Sequence, residues 1–424
     1  MNTANIDKKP ENRLMRLADR PEEFQRFGIL PHDVKQFEDG MRADGRKGTY
    51  EWWYFDSNLD DGSKLVVVFY TKPMTEASEP NLLPQVSIEL DLKDGRNFTK
   101  RLDVPIEAFR AAKDHCDVWM GNNHFTGDLS KYRITASIED VSVDIDLTGE
   151  VPPWRPKSGH TLFQDKEKVY LAGWLPSVPQ GSVKVCYKIG NEEHNTTGIG
   201  YHDHNWGDMS MVELIHDWYW GRAKIGPYTV VASYITAMKK YGYDQQPLFL
   251  LAKGKEILAE DERKVTFSTD QVYIDRKTGK PVANITRYEY RDGAERYVVT
   301  FTREKTIVDD FLAEHLPWLK RTIAKLAGFD GAYLRFTGNV TLEHFVNDQS
   351  VEKIQDDAIW ELMYFGHAQP PAGTGNAVQS SAHAVALGVV TAASAVGVYS
   401  RFRKTKKDKD SELSMNHTGR GDVR

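Results

Sequence analysis

The residues best equipped for chemistry stand together in the run Gly200-Tyr201-His202-Asp203-His204-Asn205-Trp206-Gly207. An acid, two imidazoles, a phenol, an amide and an indole fall within these eight residues, with glycine at both ends. In an extended chain, alternation places Tyr201, Asp203 and Asn205 on one face and His202, His204 and Trp206 on the other. The first face then carries a carboxyl flanked by a phenol and an amide, which can orient it and hold its proton. Apolar walls would desolvate the charged form, raise its pKa and keep the acid protonated near neutrality. Such an acid can protonate an alkene, and tryptophan faces can stabilise the cation that results. The same residue types also suit an aspartate buried for structure and satisfied by backbone N–H groups at a strand end.

His202 and His204 form a His-x-His pair, which on a strand points both rings to one side as a metal pair would, with His216 or His160 as a third ligand. No Cys-x-x-Cys or His-Glu-x-x-His pattern accompanies them, so the expectation is core histidines and no metal. A glycine-rich phosphate loop between strand and helix is missing, as is a Gly-x-Ser-x-Gly elbow. Nucleotide and serine-hydrolase chemistry therefore has no support, and no cofactor is expected.

Residues 50–55, Tyr-Glu-Trp-Trp-Tyr-Phe, read as a strand with Glu51, Trp53 and Phe55 on one face and Tyr50, Trp52 and Tyr54 on the other. Glu51 fits a buried partner for an arginine or histidine. Trp174 is a candidate cavity aromatic or a strand-end packing residue. Aromatic clusters at 52–55 and 218–220 fit either a barrel core or a ring-lined cavity for an apolar ligand.

The elements that must position these groups are short alternating runs. Residues 65–70, 86–92, 133–138 and 141–147 form one series, separated by turns such as Asp60-Asp61-Gly62 and Lys93-Asp94-Gly95. A second series follows at 228–234, 264–268, 296–301 and 333–337. The pattern predicts an all-β protein of two antiparallel β domains, each a barrel or a sandwich. The expected division is a charged lead-in over 1–45, a first domain over 46–212, a second over 213–366 and a tail over 367–424. Within 308–329, Phe311, Leu312, Leu316, Leu319, Ile323 and Leu326 recur at helical spacing, with Lys320, Arg321 and Lys325 opposite and Pro317 placed to kink the helix. This predicts a helix inserted in the second domain, packed on the barrel wall or serving as a lid or membrane-touching element.

The formal net charge of -6 over 424 residues gives no reason to expect a nucleic-acid partner. Two cysteines, Cys116 and Cys186, make no disulfide framework. Residues 1–20 lack an apolar stretch, so no signal peptide is expected and the location reads as cytoplasmic or the cytoplasmic face of a membrane. Residues 384–399 are rich in Ala, Val and Gly and precede a basic cluster at 401–407. They read as a membrane-associating helix or a loosely docked tail, and residues 406–424 as disordered.

Taken together, residues 51–55, the Trp174-Leu175-Pro176-Ser177-Val178-Pro179 segment and the 201–207 run resemble the carotenoid 1,2-hydratase (hydroxyneurosporene synthase) and AttH-like superfamily. The resemblance spans residues 45 to 365 or so. It implies tandem lipocalin-like domains and a hydratase adding water to an isoprenoid, carotenoid or other apolar alkene, without metal or organic cofactor. Asp203 would donate the proton, Tyr201 would be its hydrogen-bonding neighbour and Trp174 would stabilise the cation. His204, Asn205, Trp206, Trp53 and Glu51 would support the site, and the partner would be an apolar small molecule. Gln180 stands where the resemblance leads one to expect arginine. A cofactor-free cyclase or isomerase, or a non-catalytic lipid or isoprenoid carrier tethered by the tail, fits the same scaffold.

Overall fold

The computed structural model describes residues 13–315 and 330–368. There the chain is almost wholly antiparallel β structure, arranged in a 13-stranded and a 9-stranded sheet. Alternation drives each strand. In Val141–Gly149, Val141, Val143, Ile145 and Leu147 are buried while Asp146 and Thr148 are exposed, the period-2 pattern of a strand with one covered face.

Four strands of the first sheet run outward from its middle in the order Tyr50–Leu59, Lys64–Lys72, Gln85–Asp91 and Asn97–Asp103. On the other side of Tyr50–Leu59 lies Glu192–Gly207, followed by Lys168–Ile189 and Val141–Gly149. The sheet curls so that Phe55, Phe69 and Ile88 from one wing share a core with Phe125, Ile134 and Ile145 from the other. The second sheet repeats this plan. Ile215–Ile225 takes the place of Tyr50–Leu59, and the last strand, Gln349–Tyr364, pairs beside it as Glu192–Gly207 does in the first. Its core gathers Phe249, Tyr288, Phe301, Phe336 and Trp360. The first sheet ends at Gly207 and the second begins at Ile215, with the short helix Met211–Leu214 between them.

Two sequence expectations are revised. Part of the charged lead-in is built into the first sheet: Met15–Leu17 pairs with His160–Asp165, and a 3₁₀ turn at Gln36–Asp39 buries Glu38 and Asp39. Arg155 clamps that turn through a buried ion pair with Glu38 at 2.5 Å. The helix expected over 308–329 does not begin at Val308. Strand Glu295–Phe311 continues through it, with Val308 opposite Arg335 and Phe311 opposite Ala332, before a 3₁₀ turn at Leu312–His315. Cross-strand pairing here overrides a helical spacing of apolar residues. The rest of that segment, and the tail including 384–399, lie outside the described residues. Among the described residues no helix is long and apolar enough to cross a membrane.

The sheets meet through their outer faces. Arg222 of the second pairs with Asp56 of the first, and Lys157 reaches Asp261 at 3.0 Å. Tyr201 and Trp154 join Val231 and Leu250 in one apolar cluster. Close approach within the first sheet depends on Gly173, whose cross-strand partner is Trp206. A Cβ added at Gly173 would overlap the Trp206 indole. Gly173→Ala is expected to cost about 1–3 kcal/mol by overpacking, read as a lower urea midpoint with the same slope as wild type.

Candidate active site

Strand Glu192–Gly207 separates its side chains as alternation requires. Tyr201, Asp203 and Asn205 face the second sheet, while His202 and His204 face the interior of the first. Asp203 is 6% exposed and accepts three hydrogen bonds. Trp174 Nε1 and Tyr201 Oη each donate to Oδ2 at 2.8 Å, and Asn205 Nδ2 donates to Oδ1 at 2.7 Å. All three donors are neutral, and no ion pair to Asp203 occurs among the described residues. Burial is the largest influence on its pKa and pushes it up; the bonds from Trp174, Tyr201 and Asn205 pull the other way, and the net shift is upward. Burial beside Asp203 also holds the Tyr201 phenol well above its ordinary value.

Trp174 reaches Asp203 because Lys168–Ile189 pairs with Glu192–Gly207 in a register that sets Trp174 opposite Asn205. An irregularity between Leu175 and Val178 follows at once, where Pro176 interrupts the run of backbone donors. Trp174 packs edge-on against Trp154 at 5.6 Å. From the second sheet, Trp220 meets Tyr201 edge-on at 5.6 Å, and the Arg222 guanidinium lies 5.3 Å from the Tyr201 ring centre. Tyr54, Trp174 and Trp220 are only partly buried where the sheets meet, and we call this aromatic-lined seam beside Asp203 the cleft.

The remaining expected support residues lie on the opposite face. His204 Nε2 meets Glu51 Oε1 at 3.0 Å, and both side chains are fully buried. Glu51 also accepts from the Arg42 and Ala43 backbone and from Thr71. Trp53 stacks on His204 at 4.6 Å and donates to the Asp39 carbonyl. Trp206 packs against His204 and His160. Glu51, Trp53, His204 and Trp206 thus hold the strand from behind and do not line the cleft. His202 meets the Tyr54 carbonyl at 2.8 Å through Nδ1 and Asp39 at 3.2 Å through Nε2. Burial pushes the Asp39 carboxyl up, but the His202 charge and hydrogen bond, His204 and Tyr132 outweigh it and hold it low.

His160 and His216 do not join the His-x-His pair as metal ligands. His160 stacks on Phe27, and His216 binds Asp217 and the His367 carbonyl. Among the described residues, the group whose atoms could close on a cation is Asp39, Cys116 and His202, all buried, and Tyr132 already donates to the Asp39 carboxyl at 2.5 Å.

The second sheet supplies cleft residues that the sequence reading missed. Glu361 stands opposite Trp220 in its strand pair, as Asp203 stands opposite Tyr54. It too is held by a tryptophan and a tyrosine: Trp218 Nε1 donates at 3.2 Å and Tyr333 Oη at 2.8 Å. Arg335 lies across from Glu361 on the next strand. The signal was the second aromatic triplet, Trp218-Tyr219-Trp220, as an echo of Trp52-Trp53-Tyr54 in a repeated strand order.

Residues 45–312 match the Diels-Alderase-like family, and the chain belongs to it. The quinolone epoxide rearrangement protein asqO of Emericella nidulans is 25% identical over 296 residues, 63% of this chain and 77% of that protein. Hydroxyneurosporene dehydrogenase of Chlorobaculum tepidum is 26% identical over a shorter 207 residues, 41% of this chain and 53% of its own length. Among solved structures, an AttH protein of Nitrosomonas europaea shares the fold with a TM-score of 0.50 at 15% identity, over 83% of this chain and 100% of that one.

Two outcomes follow for the carboxyls. Glu51→Ala removes one partner of a fully buried pair and is expected to cost about 3–5 kcal/mol, measured by denaturant unfolding. For Asp203 the native state holds the proton more tightly than the unfolded chain, where the pKa is about 3.9. Stability should therefore fall as pH rises from that value through the raised native one. Asp203→Asn should abolish this slope and match or exceed wild-type stability at neutral pH, in thermal melts across pH 3–8 or so.

Proposed function

We propose that the protein is a cofactor-free enzyme in which Asp203 acts as a Brønsted acid on an apolar, unsaturated substrate held between the sheets. The observation that carries this reading is the Asp203 carboxyl itself, buried at the cleft wall and bound by three neutral donors. Burial favours the protonated form. Once the proton leaves, the same N–H and O–H groups hold the carboxylate without reorganisation, as a pre-set cradle for developing charge should. Oδ1 takes only the Asn205 bond and so has room for the transferable proton. The faces of Trp174, Trp220 and Tyr201 can shield a cation formed beside Asp203.

Protonation of an alkene or epoxide gives a cation with two fates. Capture by a group within the substrate, with a proton returned to the Asp203 carboxylate, gives a rearranged or cyclised isomer, and the likeness to asqO favours this outcome. Capture by water, followed by return of a proton to the Asp203 carboxylate, gives an alcohol from an alkene or a diol from an epoxide, the hydration implied by the Tyr201-x-Asp203 pattern with Trp174. An isoprenoid or carotenoid substrate belongs to this second reading.

The test is incubation with linear carotenoids, shorter isoprenoids and aryl epoxides in detergent and ¹⁸O-labelled water. An unlabelled isomer from wild type marks rearrangement or cyclisation, and a labelled alcohol marks hydration. In either case Asp203→Asn should lose about 10²–10⁴-fold in rate, and wild-type activity should fall as pH rises through the raised Asp203 pKa. A folded Asp203→Asn enzyme with wild-type turnover would overturn the assignment. Substrate that binds but is never converted would instead make the protein a carrier.

A further inference from the structure

Arg335 is the one guanidinium among the described cleft residues that has neither a hydrogen bond nor an ion pair. It projects from strand Ala332–Val346 on the face shared with Tyr333, and its side chain keeps only part of its surface accessible. Glu361 is its cross-strand neighbour and stands in turn opposite Trp220, whose ring meets Tyr201 of the first sheet, so Arg335 belongs to the row of the second sheet that faces the first.

The other charged groups around it are engaged or turned to different partners. Arg222 is paired with Asp56. Glu361, directly across the strand pair, takes its bonds from Trp218 and Tyr333 and makes no contact with Arg335 within ion-pair distance. Glu89 faces the same space without an ion pair, and burial pushes its carboxyl up, which weakens its claim as a counter-charge. Tyr333, Tyr54, Glu361 and Glu89 lie near enough to favour its charge, but none of them hydrogen-bonds the five N–H donors, which are left for a ligand to take. Its planar fork matches two oxygens of a planar anion.

We infer that Arg335 is the anchor for an acidic substrate: an apolar chain bearing a carboxylate, whose oxygens take the guanidinium while the unsaturated part lies along the tryptophans toward Asp203. This rests on the proposed use of the cleft and adds the class of molecule it admits. The anchor is a binding group and takes no part in proton transfer.

The experiment compares cis-parinaric acid, a fluorescent polyene carboxylic acid, with its methyl ester in titrations of the full chain. Wild type is expected to bind the acid about tenfold tighter or more, the worth of a charged hydrogen-bonded contact. Arg335→Met should bring the acid down to the affinity of the ester and leave the ester unchanged. Arg335→Lys should keep part of the preference as a point charge. Equal affinities in wild type, binding of neither probe, or a preference that survives Arg335→Met would each overturn the inference. Should Arg335→Met fail to fold, the wild-type comparison and Arg335→Lys still decide it. Product formation without acid preference defeats this inference alone, whereas acid preference without any product defeats the reaction alone.

Discussion

The contact on which the rest depends is the buried one between His204 and Glu51. It couples two neighbouring strands through side chains that are both fully enclosed, where an unpaired charge would be ruinous. Because the side chains of a strand alternate, fixing His204 toward the interior fixes Asp203 toward the cleft. A slip of one residue would exchange the two sets. Asp39 reinforces the same setting. It meets His202 through Oδ2 and faces His204 through Oδ1 at 3.5 Å, while Tyr132 closes the group from the far wing. The Tyr54 carbonyl can only accept, so His202 Nδ1 must donate to it. That bond ties the interior imidazole to the backbone of the residue opposite Asp203.

This arrangement gives one strand two unlike polar systems. Behind it, carboxylates and imidazoles are packed in close contact and serve rigidity. In front of it, a lone carboxyl meets only neutral donors and aromatic rings. Pre-organisation of the front depends on the stiffness of the back. Gly173 and Gly207 contribute at the end of the run by leaving room for the Trp206 and Tyr50 rings, which lets the strands lie close without displacing Trp174.

Much of this was legible in the chain. Alternation alone separates Tyr201, Asp203 and Asn205 from His202, His204 and Trp206, and groups Glu51 with Trp53. The reading of Glu51 as the partner of a basic residue matches its contact with His204. What alternation cannot supply is which faces meet. That follows from the register of Asp203 against Tyr54, set by pairing between segments far apart in sequence. For the same reason Glu361, Tyr333 and Arg335 carried no local motif. They become neighbours only when strands Ala332–Val346 and Gln349–Tyr364 pair and their sheet packs on the first. Asp39 escaped notice in a segment that reads as charged lead-in, because burial of an acid is invisible until its imidazole partners are in place. At Val308–Phe311, four residues cannot distinguish a helix face from a strand extended by its neighbour.

The repeated strand order also explains how the cleft acquires two different ends from one plan. Each sheet offers the other a carboxyl held by a tryptophan and a tyrosine, Asp203 from the first and Glu361 from the second. Their surroundings differ in charge. The first has neutral donors and rings about it, and Arg222, whose guanidinium lies over the Tyr201 ring, is already tied to Asp56. The second has Arg335 as its cross-strand neighbour. In the use proposed for the cleft, a molecule would meet an acid on the first sheet and a cation on the second, and the two would not be interchangeable. Catalysis gains most when the reacting atoms are held in one orientation before the chemical step. A polar head fixed on the second sheet and a double bond presented to the first would achieve this with no moving part, since the two sheets are themselves the jaws.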